Sequence, residues 1–388
     1  ENASLIPWFS GTAFLHTAYL EQRRGVLKRA NVFLIALTVL MCLFATYLVR
    51  SGVIDSLHAF GDGGVGGPLL TSILGGAALV LVAAFGVMER PERRLSGLLS
   101  RDGLVVVASW VFLGLGLVVM LGTMWPVISS IWSENPEGLK PGFYNTVCLP
   151  LFSAILLIFL ACPWLGFKSG RIRDKRGLYG TLGVFVGAAV LIAALGYTQP
   201  LALVTSAAAI AAVASIVMLY VFQPSVRNRR AVGAYAIHLG VALMFLGVAF
   251  SGPYQASKEA VVAPNEPVEL GGYVFTLRNI EEIETPGIFR ARATIEVNSE
   301  EGERIGTLHP ERRLYRNFQQ PFAEVSVIPS LGKELYAVLL GYTETGTASI
   351  KVAISPLINW IWIGAVISCL LGFLGLGSTG RAARREEG

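Results

Sequence analysis

Ala30-Asn-Val-Phe-Leu-Ile-Ala-Leu-Thr-Val-Leu-Met-Cys-Leu-Phe-Ala-Thr-Tyr-Leu-Val49 runs for twenty residues without a charge, between Lys28-Arg29 on one side and Arg50 on the other. Coiled at 1.5 Å per residue, such a run reaches about 30 Å, the thickness of the hydrocarbon core of a bilayer. It reads as a membrane-spanning helix. Working outward, a basic turn at residues 21–29 precedes it, and before that lies a second apolar run, residues 5–20, with His16 near its end. After it comes the polar loop Arg50-Ser-Gly-Val-Ile-Asp-Ser-Leu-His-Ala-Phe60, which puts His58 in water. An ionisable ring inside a span needs a compensating partner, so His16 is a candidate functional group.

The rest of the chain repeats the pattern. With 53% hydrophobic and only 15% charged residues over 388 positions, the composition excludes an ordinary soluble globular protein. Nine apolar runs are long enough to cross a membrane: residues 5–20, 30–49, 69–88, 104–128, 146–165, 178–197, 201–222, 232–250 and 356–376. Every second connection is basic: residues 21–29, 89–103, 167–177, 223–230 and the tail 381–388. Short loops rich in Lys and Arg stay cytoplasmic, so nine spans put residue 1 outside and the C-terminus inside. The net charge of +5 is a topology signal and gives no reason to invoke nucleic acid.

One stretch breaks the pattern. In residues 251–354 charges are frequent and apolar residues alternate, as in Tyr273-Val-Phe-Thr-Leu277, Ala291-Arg-Ala-Thr-Ile-Glu-Val297 and Leu335-Tyr-Ala-Val-Leu-Leu340. That period of two, with Gly271-Gly272 and Asn298-Ser299 at turn positions, predicts strands. The expected fold is an α-helical polytopic membrane protein of about nine transmembrane helices with a small extracytoplasmic β-rich domain. It divides into a helical bundle with outer loops at 1–250, the β-domain at 251–354, a final span at 355–378 and a basic cytoplasmic tail at 379–388.

Several patterns carry no chemistry. Gly61-Asp-Gly-Gly-Val-Gly-Gly67 lacks a following Lys-Ser/Thr and a preceding strand, so it reads as a connector and not a phosphate loop. Cys42, Cys148, Cys162 and Cys369 lie in or beside spans with no Cys-x-x-Cys pair, which argues against a disulfide framework or zinc site. Residues 178–197 and 201–222, rich in Ala, Gly and Val, read as scaffold. Trp360 and Trp362 open the last run as interfacial anchors.

The histidines decide what remains. His16 lies about four residues from the cytoplasmic end of its run and His238 about seven, depths of roughly 6 and 10 Å. Two imidazoles at matched depth on two helices suit a membrane b-type haem gripped on both faces. Helix–helix hydrogen bonding and proton transfer are the other readings. Gly233, Gly240 and Gly247 leave a smooth strip that a flat macrocycle or a close helix could use. His58 is either a solvated loop residue or a ligand. Arg50 either snorkels to headgroups or pairs with a propionate. His309 reads as a surface residue at a strand end.

Glu1-Asn-Ala-Ser4 with Pro7-Trp8, Thr12-Ala-Phe-Leu-His16, Leu48-Val-Arg-Ser-Gly52 and Ser56-Leu-His-Ala-Phe60 together resemble the CcmF family of cytochrome c haem lyases. Gly122-Thr-Met-Trp-Pro126, Phe143-Tyr-Asn145, Pro310-Glu-Arg-Arg-Leu-Tyr315 and Pro356-Leu-Ile-Asn-Trp-Ile-Trp362 are also similar to that family's pattern, while Glu334 stands where the family usually has Asp. By this resemblance the sequence starts just after a tryptophan-rich haem-handling motif, as a fragment or a split-gene product. The resemblance implies that His16 and His238 hold the iron of a transmembrane haem b. It also implies that His58 holds a haem in transit at the outer face, with the opposing ligand in the missing N-terminal half. It assigns no catalytic residue. Implied partners are apocytochrome c, a haem chaperone, the subunits that handle the apocytochrome thiols, and quinol as a candidate reductant. The implied location is a bacterial inner membrane. Two other classes stay open at this stage: a quinol-linked cytochrome b-type redox subunit, which would normally carry two histidine pairs, and a non-redox membrane assembly scaffold.

Overall fold

A computed structural model describes residues 2–54, 64–86, 97–135, 137–166, 171–316 and 321–375. Every predicted apolar run contains helix. In order these are α1 (Asn2–Arg24), α2 (Lys28–Arg50), α3 (Gly66–Gly86), α4 (Arg101–Thr123) with the short α5 (Trp125–Ser129), α6 (Pro141–Ala161), α7 (Lys175–Ala194), α8 (Pro200–Phe222), α9 (Arg229–Ser251) and α10 (Asn359–Gly372).

The expected count of nine spans needs correction. Seven helices, α2, α3, α4, α6, α7, α8 and α9, are long and apolar enough to cross a membrane. The protein is thus a polytopic α-helical membrane protein with seven candidate spans among the described residues. Helix α1 has the length, 23 residues, but dilutes its apolar run with Asn2, His16, Glu21, Gln22, Arg23 and Arg24. Helix α10 has the composition but only 14 residues, about 21 Å of rise against a core of about 30 Å.

The chain forms two compact units, Glu1–Gly196 with Ala214–Gln223, and Tyr197–Val213 with Pro224–Gly388. In the first, α1 packs against α2 and α4, α4 against α6, and α2 against α3. Helices α1 and α4 run antiparallel, since Arg24 meets Asp102 at one end and Phe9 meets Phe112 further along. Trp164, fully buried after α6, donates its indole N–H to Ser215 Oγ at 3.0 Å and packs where Gly177 leaves no side chain.

In the second unit the chain leaves α9, builds the β-domain and returns as α10. Ten strands follow: β1 (Ala256–Val262), β2 (Pro267–Leu270), β3 (Tyr273–Thr285), β4 (Ile288–Ser299), β5 (Arg304–Leu308), β6 (Glu311–Tyr315), β7 (Phe322–Glu324), β8 (Ser326–Ile328), β9 (Lys333–Tyr342) and β10 (Ala348–Pro356). They make two antiparallel sheets, one ordered β1-β10-β9-β8 and one ordered β2-β3-β4-β6-β7 with β5 also on β4. The predicted alternation holds. Phe275 and Leu277, Ala293, Ile295 and Val297, Leu335 and Leu339, and Ile350 and Val352 all enter one shared core.

First and last strands are neighbours, with Ala256 opposite Ile354. The chain therefore leaves and re-enters the helical region at adjacent points, which brings α9 and α10 side by side. The contact is intimate. A Cβ on Gly240 would strike Gly364 O and Ser368, and one on Gly233 or Gly247 would strike the backbone of Gly375 or Ile361. The glycine strip on α9 thus serves a close helix and not a macrocycle, because α10 occupies it. Where β10 becomes α10, Leu357 N–H donates to Gly332 O at 2.8 Å, Asn359 Nδ2 to Ser330 O at 2.9 Å and Trp360 Nε1 to Leu331 O at 3.0 Å. Trp360 is therefore tied to the turn before β9, beyond any role at a membrane interface.

Candidate functional site

The spans handle polar side chains by one local device. A hydroxyl four residues after a carbonyl on the same helix donates to it, as Thr38 does to Leu34 O and Ser109 to Val105 O. This satisfies a polar group where lipid cannot. His16 and His238 use the same device: His16 Nδ1 lies 2.8 Å from Thr12 O and His238 Nδ1 lies 2.7 Å from Ala234 O. A carbonyl oxygen can only accept, so both rings carry the proton on Nδ1. That is the tautomer a metal-binding imidazole needs, with its other nitrogen oriented by a backbone carbonyl.

His16 is half-buried in α1, and its ring lies 5.8 Å from that of Phe112 on α4 with the planes 34° apart. His238 is half-buried in α9, with Tyr235 one turn back at 6.4 Å and 51°. They belong to different compact units, His16 to the first and His238 to the second. Arg50 closes α2 and is exposed. His58 lies outside the described residues. His309 is exposed between β5 and β6, with its ring nitrogen 3.5 Å from Thr294 Oγ1, in keeping with a surface position.

Among the described residues, no three His, Cys, Asp or Glu side chains gather as a metal site. A metal cage built from protein donors alone has no donor set there. A haem supplies four nitrogens of its own and asks the protein only for axial ligands, a demand that single histidines meet without a cluster of donors.

Some features escaped the sequence. Arg24 pairs with Asp102 at 3.1 Å, where Asp102 is only 2% exposed, and Asn31 donates to Glu21 at 2.6 Å. Asp102 lies in the first turn of α4, within the stretch 89–103 read only for its arginines; Ser100-Arg-Asp102 at a helix start was the available signal, and Ser100 does cap α4 through Gly103 N. The motif Pro310-Glu-Arg-Arg-Leu-Tyr315 contains strand β6. Its Glu311, 5% exposed, accepts from Arg292 Nε at 2.6 Å and Arg313 Nε at 2.8 Å, and Arg313 reaches Glu324 at 3.5 Å. Burial pushes the Glu311 carboxyl up, but hydrogen bonds and charges from Arg313 and Arg292 together outweigh it and hold the group below the usual range.

Residues 253–356 match the family profile described as the CcmF C-terminal beta-sandwich, which covers β1 to β10. The chain is 29% identical over 391 residues to the cytochrome c-type biogenesis protein CcmF of Pseudomonas aeruginosa, covering 96% of this chain and 59% of that protein. It is 28% identical over 385 residues to the CcmF of Escherichia coli, covering 96% and 59%. A solved structure titled cytochrome c heme lyase CcmF superposes with a TM-score of 0.77 at 26% identity, over 97% of this chain and 59% of that one. In sequence and fold the chain is similar to the C-terminal region of CcmF proteins. The chain spans about three fifths of the length of these CcmF relatives. The CcmF profile ends at residue 356, the last residue of β10, so it stops where α10 begins its return along α9.

The Glu311 cluster predicts an acid-side signature. Because the folded carboxyl titrates below the usual glutamate value of about 4.3, its contribution is complete above that value and is lost as pH falls through the folded one. Glu311→Gln should cost roughly 1–3 kcal/mol at pH 7 and flatten the loss of stability between pH 5 and 3. Thermal unfolding followed across that range measures it; an unchanged acid slope would remove Glu311 from the account.

Proposed function

We propose that the chain supplies the C-terminal part of a cytochrome c haem lyase, in which His16 and His238 are the two axial ligands of a membrane haem b. The observation that carries this is the bond each ring's Nδ1–H makes to a carbonyl of its own helix, the orientation that a metal-binding imidazole receives from a backbone partner. The family relationship supports the same reading. A haem bound there would supply a one-electron store within the membrane. Both ligands belong to structured helices, so each ring's backbone is held by its own helix. A quinol-linked cytochrome b subunit is the weaker reading, because the described helices carry one pair of histidines and not two.

The substrates of the reaction are haem and apocytochrome c. A cysteine thiol of the apoprotein adds across a vinyl group, sulfur bonding one vinyl carbon and the proton going to the other, with no net change of oxidation state. His58 would hold the transit haem from one side and Arg50 would meet a propionate through its guanidinium. The opposing ligand is assigned to the N-terminal region present in the longer relatives. A haem chaperone and thiol-handling proteins would deliver the substrates, and quinol is a candidate source of the electrons.

We place the chain in a bacterial inner membrane with the β-domain on the outer face. The basic loops at 21–29, 167–177 and 223–230 support this orientation.

Two experiments test these statements. In membranes of a host expressing the complete maturation system, His16→Ala or His238→Ala should abolish low-spin b-type absorbance. His58→Ala should keep that absorbance while matured cytochrome c falls at least tenfold. Unchanged spectra in the first two variants would end the haem b assignment. Protease added outside intact spheroplasts should cut within residues 251–354 and spare residues 171–177; the opposite pattern would invert the topology.

A further inference from the structure

We propose that the outer face of the β4–β6 ladder, centred on Arg290, docks one carboxylate side chain of a partner protein, an Asp or Glu beside an apolar residue; this stands apart from the haem b reading above. Alternate residues of β4 turn away from the core: Ala291, Ala293 and Ile295 are buried inside, and Arg290 and Arg292 lie on the other face. Register sets their neighbours. Arg292 stands opposite Glu311 on β6 and Arg290 opposite Arg313, with Ile283 of β3 on the far side of Arg290 and Phe322 of β7 on the far side of Arg313.

That register sets two arginines directly across from each other, an arrangement that like-charge repulsion opposes. One row along, the same face shows how it takes a carboxylate: Arg292 and Arg313 both donate through Nε to Glu311, at 2.6 and 2.8 Å. In Arg290 the corresponding Nε is enclosed and has no acceptor among the described residues. The acids nearby are engaged elsewhere. Glu324 meets Arg313 at 3.5 Å, and Glu281, opposite Arg292, accepts from Asn279 Nδ2 at 3.1 Å. Residues 317–320, Asn-Phe-Gln-Gln, contain no carboxylate in their sequence. The row of Arg290 is therefore one negative charge short of the row of Arg292. A carboxylate arriving from outside finds a half-buried guanidinium with part of its surface open, and the planar fork of arginine binds such a group in paired hydrogen bonds.

Charge and shape select the occupant. One unspent guanidinium balances one carboxylate, whereas a second anionic group, as on a haem with its two propionates, would face Glu311 and Glu324. Ile283 and Phe322 flank the two arginines, so an apolar residue next to the acid is covered in the same contact. An open sheet face suits a protein segment.

The test uses the full chain in a host expressing the complete maturation system, with photoreactive benzoylphenylalanine in place of Ile283 or, separately, of the exposed Glu281. The segment captured on illumination is sequenced by mass spectrometry and should contain an Asp or Glu next to an apolar residue. Arg290→Glu, which offers Arg313 a carboxylate from within, should keep the melting temperature and lower capture at least fivefold. Changing the captured acid to Lys should then restore at least half of it by reversing the pair. Should Arg290→Glu fail to fold, Arg290→Leu and the amide variant of the captured acid decide in its place, each lowering capture and the two together lowering it no further. Capture that is absent, that is undiminished in the variant, that the Lys exchange leaves unrestored or that falls on a segment without an acid overturns the proposal. Capture of haem or lipid in place of protein overturns it as well.

Discussion

A polar group in lipid must find its partner inside the protein, and in these helices it finds one four residues back on its own strand of backbone. For serine and threonine that bond uses the one hydroxyl proton, as in Thr46 on Cys42 O, Ser153 on Leu149 O and Thr205 on Leu201 O. Histidine has a second nitrogen. When His16 and His238 make the same bond, the proton is fixed on Nδ1 of each ring. The constraint that satisfies the hydroxyls is therefore also the one that orients each imidazole.

The second organising fact is that the β-domain is an insertion between two helices. Pairing of β1 with β10 makes its entry and exit adjacent, and the glycines of α9 accept the returning α10 at backbone distance. Bonds from the turn at Ser330, Leu331 and Gly332 to Leu357, Asn359 and Trp360 make the junction stiff. The domain's charged outer rows, knit by Glu311 between Arg292 and Arg313, belong to the same structural economy.

Much of this was legible in the residues because it rests on periodicity. Apolar run length located every helix, and strict alternation located strands such as β4, whose inward Ala291, Ala293, Ile295 and Val297 are all buried. What the sequence hid was partnership across distance. Run length alone counted nine spans, because it does not weigh the charges at the end of α1 or see that α10 stops at Gly372. The spacing of Gly233, Gly240 and Gly247 announced a flat face but not its occupant. Phe112 looked like any core aromatic, since nothing local marks it as the neighbour of a histidine 96 positions earlier. His58 belongs to a polar loop whose reading still rests on the family resemblance.

The central claim is that His16 and His238 are two axial ligands of one iron. Pulsed paramagnetic resonance of the ferric protein, grown with 15N-labelled histidine and haem of natural isotope content, counts those ligands directly. Couplings from two labelled imidazole nitrogens are predicted, falling to one or to a high-spin signal when either histidine is replaced. A low-spin haem that shows one labelled nitrogen or none would contradict the account.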